Sequence, residues 1–272
     1  MKKLRNFFRG TYLGLMLIFL YSPILVLMVF SFNGSKSMAR WAGVFFKWYE
    51  ALMHDSPIMN ALMVTLSVAV ISALVATFIG TFAAIGIHSM KKRPRAVVEN
   101  ISRLPMVNPD LVTGISFMML FAAMGIKGSY TRMLIAHITF NIPYVIFSVM
   151  PKLRQIDPNL AEAAQDLGAT PMQGFFKVIL PDIMPGVFSG FVMALTMSID
   201  DFVVSFFTTG SGVSNLSITI YTMAKRGISP KINALSTIIF ACVFVLLIGL
   251  NLRDFRKDGR SQKKLDGVKI PY

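Results

Sequence analysis

Three acidic residues, Asp110, Asp200 and Asp201, lie inside long apolar runs of this chain. A carboxylate at membrane depth costs roughly 2.5–3.5 kcal/mol on insertion scales, so it normally faces a bundle interior or a water-filled path. Ser198, Asp201 and Ser205 have the spacing i, i+3, i+7 and would share one polar stripe on a continuous helix. Together these groups could bind a cation on a transport path. The alternative is that the adjacent carboxylates are buried against Lys or Arg of this chain or of a partner subunit, or that one of them is protonated.

Asp110 has an explanation of its own. It follows Asn108 and Pro109, and Pro105 stands one turn earlier, so two prolines interrupt the helix there. Asn108 could cap a restarted helix whose N-terminal dipole favours Asp110. Broken helices at membrane depth are also where transport sites commonly form, so a role in a path stays open beside the structural one.

Two further candidates also have a structural alternative. His137 and Asn141 are four residues apart in an apolar run, and this spacing favours hydrogen bonds between helices. Trp48 lies in an aromatic-rich segment before the second apolar run. Such residues are typical of interfacial anchors, and the alternative is that Trp48 contacts a substrate or a receptor.

One polar segment between two apolar runs carries strong signals for where helices begin and end. Asp157 is a good N-cap followed by a proline, and Gly168 is placed to end that helix in a left-handed conformation. Thr170 precedes another proline, and Gln173 completes a capping-box pattern. The sequence therefore predicts two short helices, which form either a simple connector or a docking element.

The elements that position these residues are predicted to be membrane-spanning helices. Of the 272 residues, 54% are hydrophobic and only 15% are charged, and the mean hydropathy is +0.63. The apolar residues form continuous runs long enough to cross about 30 Å of hydrocarbon, where only helices satisfy their own backbone groups in this pattern. The predicted class is an all-α integral membrane protein with six spans, at residues 12–32, 58–87, 101–124, 133–150, 185–208 and 232–252.

The basic residues fit a membrane topology rather than nucleic-acid binding. The net charge is +14, and the Lys and Arg residues cluster beside the apolar runs. With the N-terminus inside, eighteen of them lie on the cytoplasmic side and eight outside. The positive-inside rule therefore predicts that both termini are cytoplasmic.

Several function classes are excluded by what the sequence lacks. No Walker A pattern, nucleophile elbow or H-E-x-x-H motif occurs in the chain. The single cysteine, Cys242, excludes an intrachain disulfide and a cysteine-based zinc cluster. We therefore expect no enzyme active site and no cofactor bound by this chain.

The polar segment with these helix-start and helix-end signals resembles the EAA loop of ABC importer permeases. The matching pattern is Glu-Ala-Ala from Glu162, then Gly168, Val178 where the family prefers Ile, and Leu180-Pro181. The resemblance implies a type I ABC importer permease, with residues 1–272 as one transmembrane domain and residues 151–184 as the loop that couples to an ATPase subunit. The residues carried over to this coupling role are Glu162, Ala163, Ala164, Gly168, Leu180 and Pro181.

Further segments resemble the second permease of spermidine/putrescine importers. They are residues 31–35, 47–49, 109–110, 136–140, 162–169, 198–201 and 229–235. This resemblance implies a polyamine path, for which the candidate residues are Asp110, Ser198, Asp200, Asp201 and Trp48. It also implies a bacterial inner-membrane location, a second permease, an ATPase dimer that uses ATP and Mg, and an extracytoplasmic polyamine-binding protein.

Three rival interpretations remain at this point. An importer of another small solute would share every ABC feature. A proton-coupled secondary transporter would explain the intramembrane acids but would leave the punctuated loop without a role. A membrane assembly factor would have the six spans but no need for three acids at membrane depth.

Overall fold

The computed structural model describes residues 2–37, 39–157, 159–210, 212–227, 230–242 and 244–245. These residues form helices, turns and one isolated antiparallel bridge between Asn33 and Val44. The first six helices are α1 Lys2–Ser31, α2 Lys47–Met53, α3 Ser56–His88, α4 Lys92–Val107, α5 Asp110–Ala123 and α6 Ser129–Gln155. The others are α7 Leu160–Asp166, α8 Pro171–Gly174 with a π-helical turn Phe175–Ile179, α9 Leu180–Asp200, α10 Val203–Thr208, α11 Leu216–Arg226 and α12 Pro230–Cys242.

The described helices account for four or five of the six predicted spans. Four helical stretches are long and apolar enough to cross a membrane: Gly10–Ser31, Ser56–His88, Ser129–Gln155 and Pro171–Asp200. The bent pair of α4 and α5 passes the same test when its two helices are taken together, either as one broken span or as a re-entrant loop. The predicted span at 232–252 begins in α12, and most of its second half lies outside the described residues. Six spans are therefore compatible with the structure.

Two predicted spans are not continuous helices. The span predicted at 101–124 bends by 100° between α4 and α5, at Asn108 and Pro109, because proline cannot continue the hydrogen-bond ladder. The span predicted at 185–208 ends as a helix at Asp200. Asp201 then adopts an extended backbone, with φ −65° and ψ 123°, and α10 begins at Val203.

Two compact units divide the chain. One comprises residues 1–56 and 222–272, and the other comprises residues 57–221. The second unit contains α4 to α10 and nearly all of α3. The prediction of one transmembrane domain over the whole chain stays a prediction.

The core of the second unit lies where α3, α6 and α9 pack together. Its buried side chains include Val145, Ile146, Val149, Met150 and Ile183. Small residues let the backbones approach closely, as is common between membrane helices. A Cβ added at Gly80 of α3 would lie only 2.7 Å from Val145 Cβ, and one at Gly190 of α9 would lie 3.2 Å from Val145 Cγ1. This packed core fixes the helices that carry the polar groups.

Candidate functional site

A buried polar cluster lies at the C-terminal end of α9. The ring of His137 bridges two serines, with Nδ1 2.7 Å from Ser198 Oγ and Nε2 2.9 Å from Ser205 Oγ. Ser198 Oγ is also 2.8 Å from Ser72 Oγ and accepts a hydrogen bond from Asn141 Nδ2 at 3.2 Å. The cluster joins α3, α6, α9 and α10, which confirms the predicted hydrogen bonding of His137 and Asn141 between helices. Nothing local in the sequence identified Ser72, because its contact is 126 residues away.

Asp201 caps α10 rather than extending α9. One carboxylate oxygen accepts the Val204 N–H at 3.1 Å, and the other accepts the Ser205 N–H at 2.7 Å. The second oxygen also lies 3.4 Å from Nε2 of His137, and the main-chain carbonyl accepts a hydrogen bond from Asn215 at 3.2 Å. Among the described residues the partner is therefore a histidine and backbone amides, not the Lys or Arg that the sequence alternative invoked. Asp201 stabilises the chain break through the free N–H groups of α10.

Asp200 occupies a different environment from its neighbour. It is the last residue of α9, and its side chain is exposed. Within the described part of the chain its carboxylate forms no hydrogen bond or ion pair. The expected repulsion between adjacent carboxylates is therefore relieved by geometry, because the chain turns out of the helix between them.

Asp110 is the first residue of α5 and is exposed at the bend. The suggested capping by Asn108 is wrong: α5 has no side-chain cap among the residues that the structure describes, and Asn108 Nδ2 instead donates to Thr113 Oγ1 at 3.2 Å. Asp110 still lies in the first turn, where the helix dipole favours a carboxylate. A cavity of about 600 Å³, mostly apolar, opens beside the bend and is lined by Asn108, Pro109 and Phe117 among others.

Trp48 lies in the unit that contains the N-terminal residues, and it is buried there. Only 8% of it is exposed, and its indole N–H donates to the carbonyl of Asn33 at 2.7 Å. The Asn33 side chain in turn accepts the Ala42 N–H at 2.9 Å, and the Lys47 ammonium lies 4.8 Å from the Trp48 ring centre. Trp48 therefore supports the fold of its own segment. Exposed aromatic side chains beside it are Trp41, Phe45 and Phe46.

The predicted helical hairpin is present within residues 151–184, the segment that resembles the EAA loop. The Thr170 hydroxyl accepts the Gln173 N–H at 3.3 Å, and the Gln173 side chain accepts the Thr170 N–H at 3.0 Å. This reciprocal pair is the predicted capping box. Gly168 has φ +84°, the left-handed conformation expected of a helix-ending glycine.

The first helix of the hairpin begins later than predicted. The structure starts α7 at Leu160, whereas the sequence suggested Asp157 as the N-cap and Pro158 as the first helical residue. The Asp157 carboxylate accepts the Asn159 N–H at 2.9 Å, so it forms a turn ahead of the helix. Pro158 itself lies outside the described residues.

The hairpin presents an apolar surface to its surroundings. Leu167, Met172 and Phe176 are exposed by 90%, 67% and 52%. Glu162 is also exposed and has no partner among the described side chains. By contrast, Leu180 packs against the core of the unit. The hairpin therefore has one end fixed to the bundle and an open face suited to binding another protein.

A second charged cluster, around Glu99 of α4, was not singled out from the sequence. Glu99 accepts hydrogen bonds from Arg95 at 2.8 Å and from Arg154 of α6 at 2.7 Å. Both guanidinium groups favour the ionised form of this carboxylate. Its carboxylate is thus charged at neutral pH. Only the i, i+4 spacing of Arg95 and Glu99 could have signalled part of this cluster.

Comparison with known proteins adds independent information. Residues 76–254 match the family described as "Binding-protein-dependent transport system inner membrane component". The chain is 38% identical to the spermidine/putrescine transport system permease protein PotC of Escherichia coli K12, over 90% of this chain and 92% of that protein. It is 37% identical to the putrescine transport system permease protein PotI of the same organism, over 84% of each chain.

Solved structures of ABC transporters share the fold. One is a bacterial ABC transporter involved in the import of the acidic polysaccharide alginate, with a TM-score of 0.71, 15% identity and coverage of 93% of this chain and 96% of that one. Another is an amino acid ABC transporter, with a TM-score of 0.55, 20% identity and coverage of 76% and 98%. At these identities the likeness establishes the architecture alone.

Proposed function

Because this chain belongs to the binding-protein-dependent transport system inner membrane components, we propose that it is a permease subunit of an ATP-driven polyamine importer. Its family is one of inner-membrane transport subunits, not of enzymes. The observation that carries the substrate class is the similarity to spermidine/putrescine and putrescine permeases over most of both chains.

The exposed carboxylates support this substrate chemically. A polyamine loses hydration when it leaves water, and carboxylates replace that hydration with charge-assisted hydrogen bonds. Asp110 and Asp200 are exposed and unpaired within the described residues, so both are free to act on a cation. Ser198 and Asp201 have their polar atoms bound to the buried cluster. In this proposal they hold the helix break that presents Asp200, and Trp48 shapes the outer segment.

The coupling loop supports the proposed partners. Its exposed apolar side chains need a protein surface to cover them, and an ATPase subunit dimer on the cytoplasmic side, using ATP and Mg, would supply it. A second permease would complete the path, and an extracytoplasmic polyamine-binding protein would deliver the substrate. Both chain termini then lie in the cytoplasm, in agreement with the distribution of Lys and Arg.

Uptake by cells tests the proposal. The chain and its co-encoded importer subunits would be expressed in a host that lacks its own polyamine importers, and entry of labelled putrescine and spermidine would be measured. We expect uptake that requires ATP and all subunits, and that unlabelled polyamine suppresses. No polyamine entry from a complex that hydrolyses ATP would contradict the substrate assignment.

The same assay tests the second candidate, an importer of another small solute. The solved structures support keeping it, because one fold serves transporters of such different solutes as alginate and amino acids. Suppression of uptake by amino acids or sugars rather than polyamines would favour it. Uptake that is abolished by a protonophore but insensitive to vanadate would favour a proton-coupled transporter instead.

A further inference from the structure

Glu99 is a buried anion that holds two structural elements together. Its side chain is 11% exposed, whereas its partners Arg95 and Arg154 are 22% and 49% exposed. One carboxylate oxygen binds Arg95 of its own helix, and the other binds Arg154, which is 55 residues further along the chain. Arg95 also lies within 3.5 Å of the His88 carbonyl at the end of α3. The cluster therefore connects α3, α4 and α6 at one end of the bundle.

The position of this cluster relates it to both functional regions. Arg154 is the penultimate residue of α6, and the segment that leads into the hairpin begins three residues later. In the other direction, α4 continues from Glu99 to Asn108 over about 14 Å of helix. There the chain bends by 100° into α5, whose first residue is Asp110. One ion pair thus lies between the coupling loop and the bend.

An ion pair is an expensive way to hold two helices together. Burying the Glu99 carboxylate costs several kcal/mol, whereas the half-exposed Arg154 keeps part of its hydration, and a well-packed apolar contact of the same shape often gives equal or greater stability. The ion pair between Glu99 and Arg154 does have a fixed geometry, and it breaks completely when the two helices separate. A contact between Arg103 and the Phe147 ring, at 5.0 Å, further aligns α4 with α6.

We propose that the contact between Glu99 and Arg154 carries movement of the coupling loop into α4, and so to the bend that presents Asp110. Glu99 is then a positioning residue for transport: it touches no substrate and binds no ATPase subunit. This inference rests on the proposed function, because it needs a loop that an ATPase moves.

The test is the ratio of polyamine uptake to ATP hydrolysed, measured on the complete importer in membrane vesicles. Glu99→Gln keeps the shape of the side chain and removes its charge, and Arg154→Gln removes the other half of the link. We expect each variant to lower uptake per ATP by about tenfold, within the range of coupling energies measured along such contacts. The double variant should be no worse than the more damaging single one, because both changes break the same link.

Arg93→Gln is the matched control, since Arg93 is an exposed cation of α4 with no partner among the described residues; its ratio should not change. If the Glu99→Gln variant fails to assemble, the Arg154→Gln variant still provides the test, because Arg154 is half-exposed. An unchanged ratio of uptake to ATP hydrolysed in the Arg154→Gln variant, whatever its amount of complex, would overturn the inference. Absence of ATP-dependent uptake in the wild-type importer would instead contradict the proposed function.

Discussion

At the residue scale, Asp200 and Asp201 show how neighbours in sequence can differ in role. Asp200 ends α9 with an exposed carboxylate that has no partner in the part of the chain that the structure describes, whereas both oxygens of Asp201 accept backbone N–H groups of α10. Sequence spacing correctly grouped Ser198, Asp201 and Ser205, and all three contact His137. The spacing could not show that the helix breaks between the two acids. An aspartate that caps a helix and an aspartate that lines a transport path can occur in the same local sequence.

Amide substitution should separate the two acids. Asp200→Asn should lower polyamine uptake per assembled complex by about tenfold or more, because it removes a charge-assisted partner of the cation. Asp201→Asn should instead reduce the amount of folded protein, because the amide NH2 replaces one acceptor oxygen and leaves an N–H of α10 without its partner, at a cost of about 1–3 kcal/mol. The measurement is uptake normalised to complex in membranes, together with thermal unfolding in detergent. Equal losses of abundance in both variants would show that neither acid acts on the substrate.

At the element scale, the signals for helix starts and ends predicted the hairpin within residues 151–184 well. Thr170, Gln173 and Gly168 adopt the capping box and left-handed backbone that their types and order indicated. The start of α7 was displaced because Asp157 stabilises a turn instead of a helix. The Glu99 cluster escaped prediction for a different reason: its two arginines lie on different helices, and only the folded chain brings them together.

Gly168→Ala should disturb the hairpin. A residue with a Cβ is strained at φ +84°, by roughly 1–2 kcal/mol. We expect uptake to fall several-fold while the protein still inserts, because the hairpin is no longer held at its correct angle. Gly174→Ala is the control, since its added Cβ would make an ordinary 3.8 Å contact with Ala164. Similar uptake by the two variants would mean that the hairpin tolerates a change of angle.

Close helix packing gives a second matched pair within α3. Gly80→Ala would place a Cβ 2.7 Å from Val145 Cβ, which forces α3 and α6 apart at a cost of about 1–3 kcal/mol. Gly86→Ala, in the same helix, is the control. Its added Cβ would have no atom within 4 Å, so we expect the stability to be unchanged or slightly improved. Melting temperatures of the purified variants would check this difference. Equal melting temperatures would indicate that α3 and α6 are less tightly packed.

At the scale of the whole molecule, composition and charge predicted the class of the protein. Apolar runs gave the approximate positions of the spans, because hydrocarbon requires helices of a certain length. Hydropathy is the same for a straight and a broken apolar helix, so it revealed neither interruption; the prolines predicted the break at Pro109, and nothing in the sequence predicted the one at Asp201. The division into two compact units also had no signature in the sequence.

The predicted orientation can be checked on intact cells. Reporter domains that are active only in the cytoplasm, fused before Met1 or after Tyr272, should both be active, because eighteen of the Lys and Arg residues lie on the inner side in this topology. A reporter inserted between α1 and α2 should be inactive. Labelling of either terminus by an impermeant reagent added outside would refute the topology.

The bend between α4 and α5 also affects how the protein fits its bilayer. With only 14 residues, α5 is about 21 Å long, well short of about 30 Å of hydrocarbon. The hydrophobic mismatch must be relieved by thinning of the lipid around α5 or by protein that shields it. Thinning would also let water and headgroups approach Asp110 and reduce the cost of its charge. We therefore expect transport in reconstituted vesicles to decline as the lipid acyl chains are lengthened, which makes membrane thickness a determinant of activity.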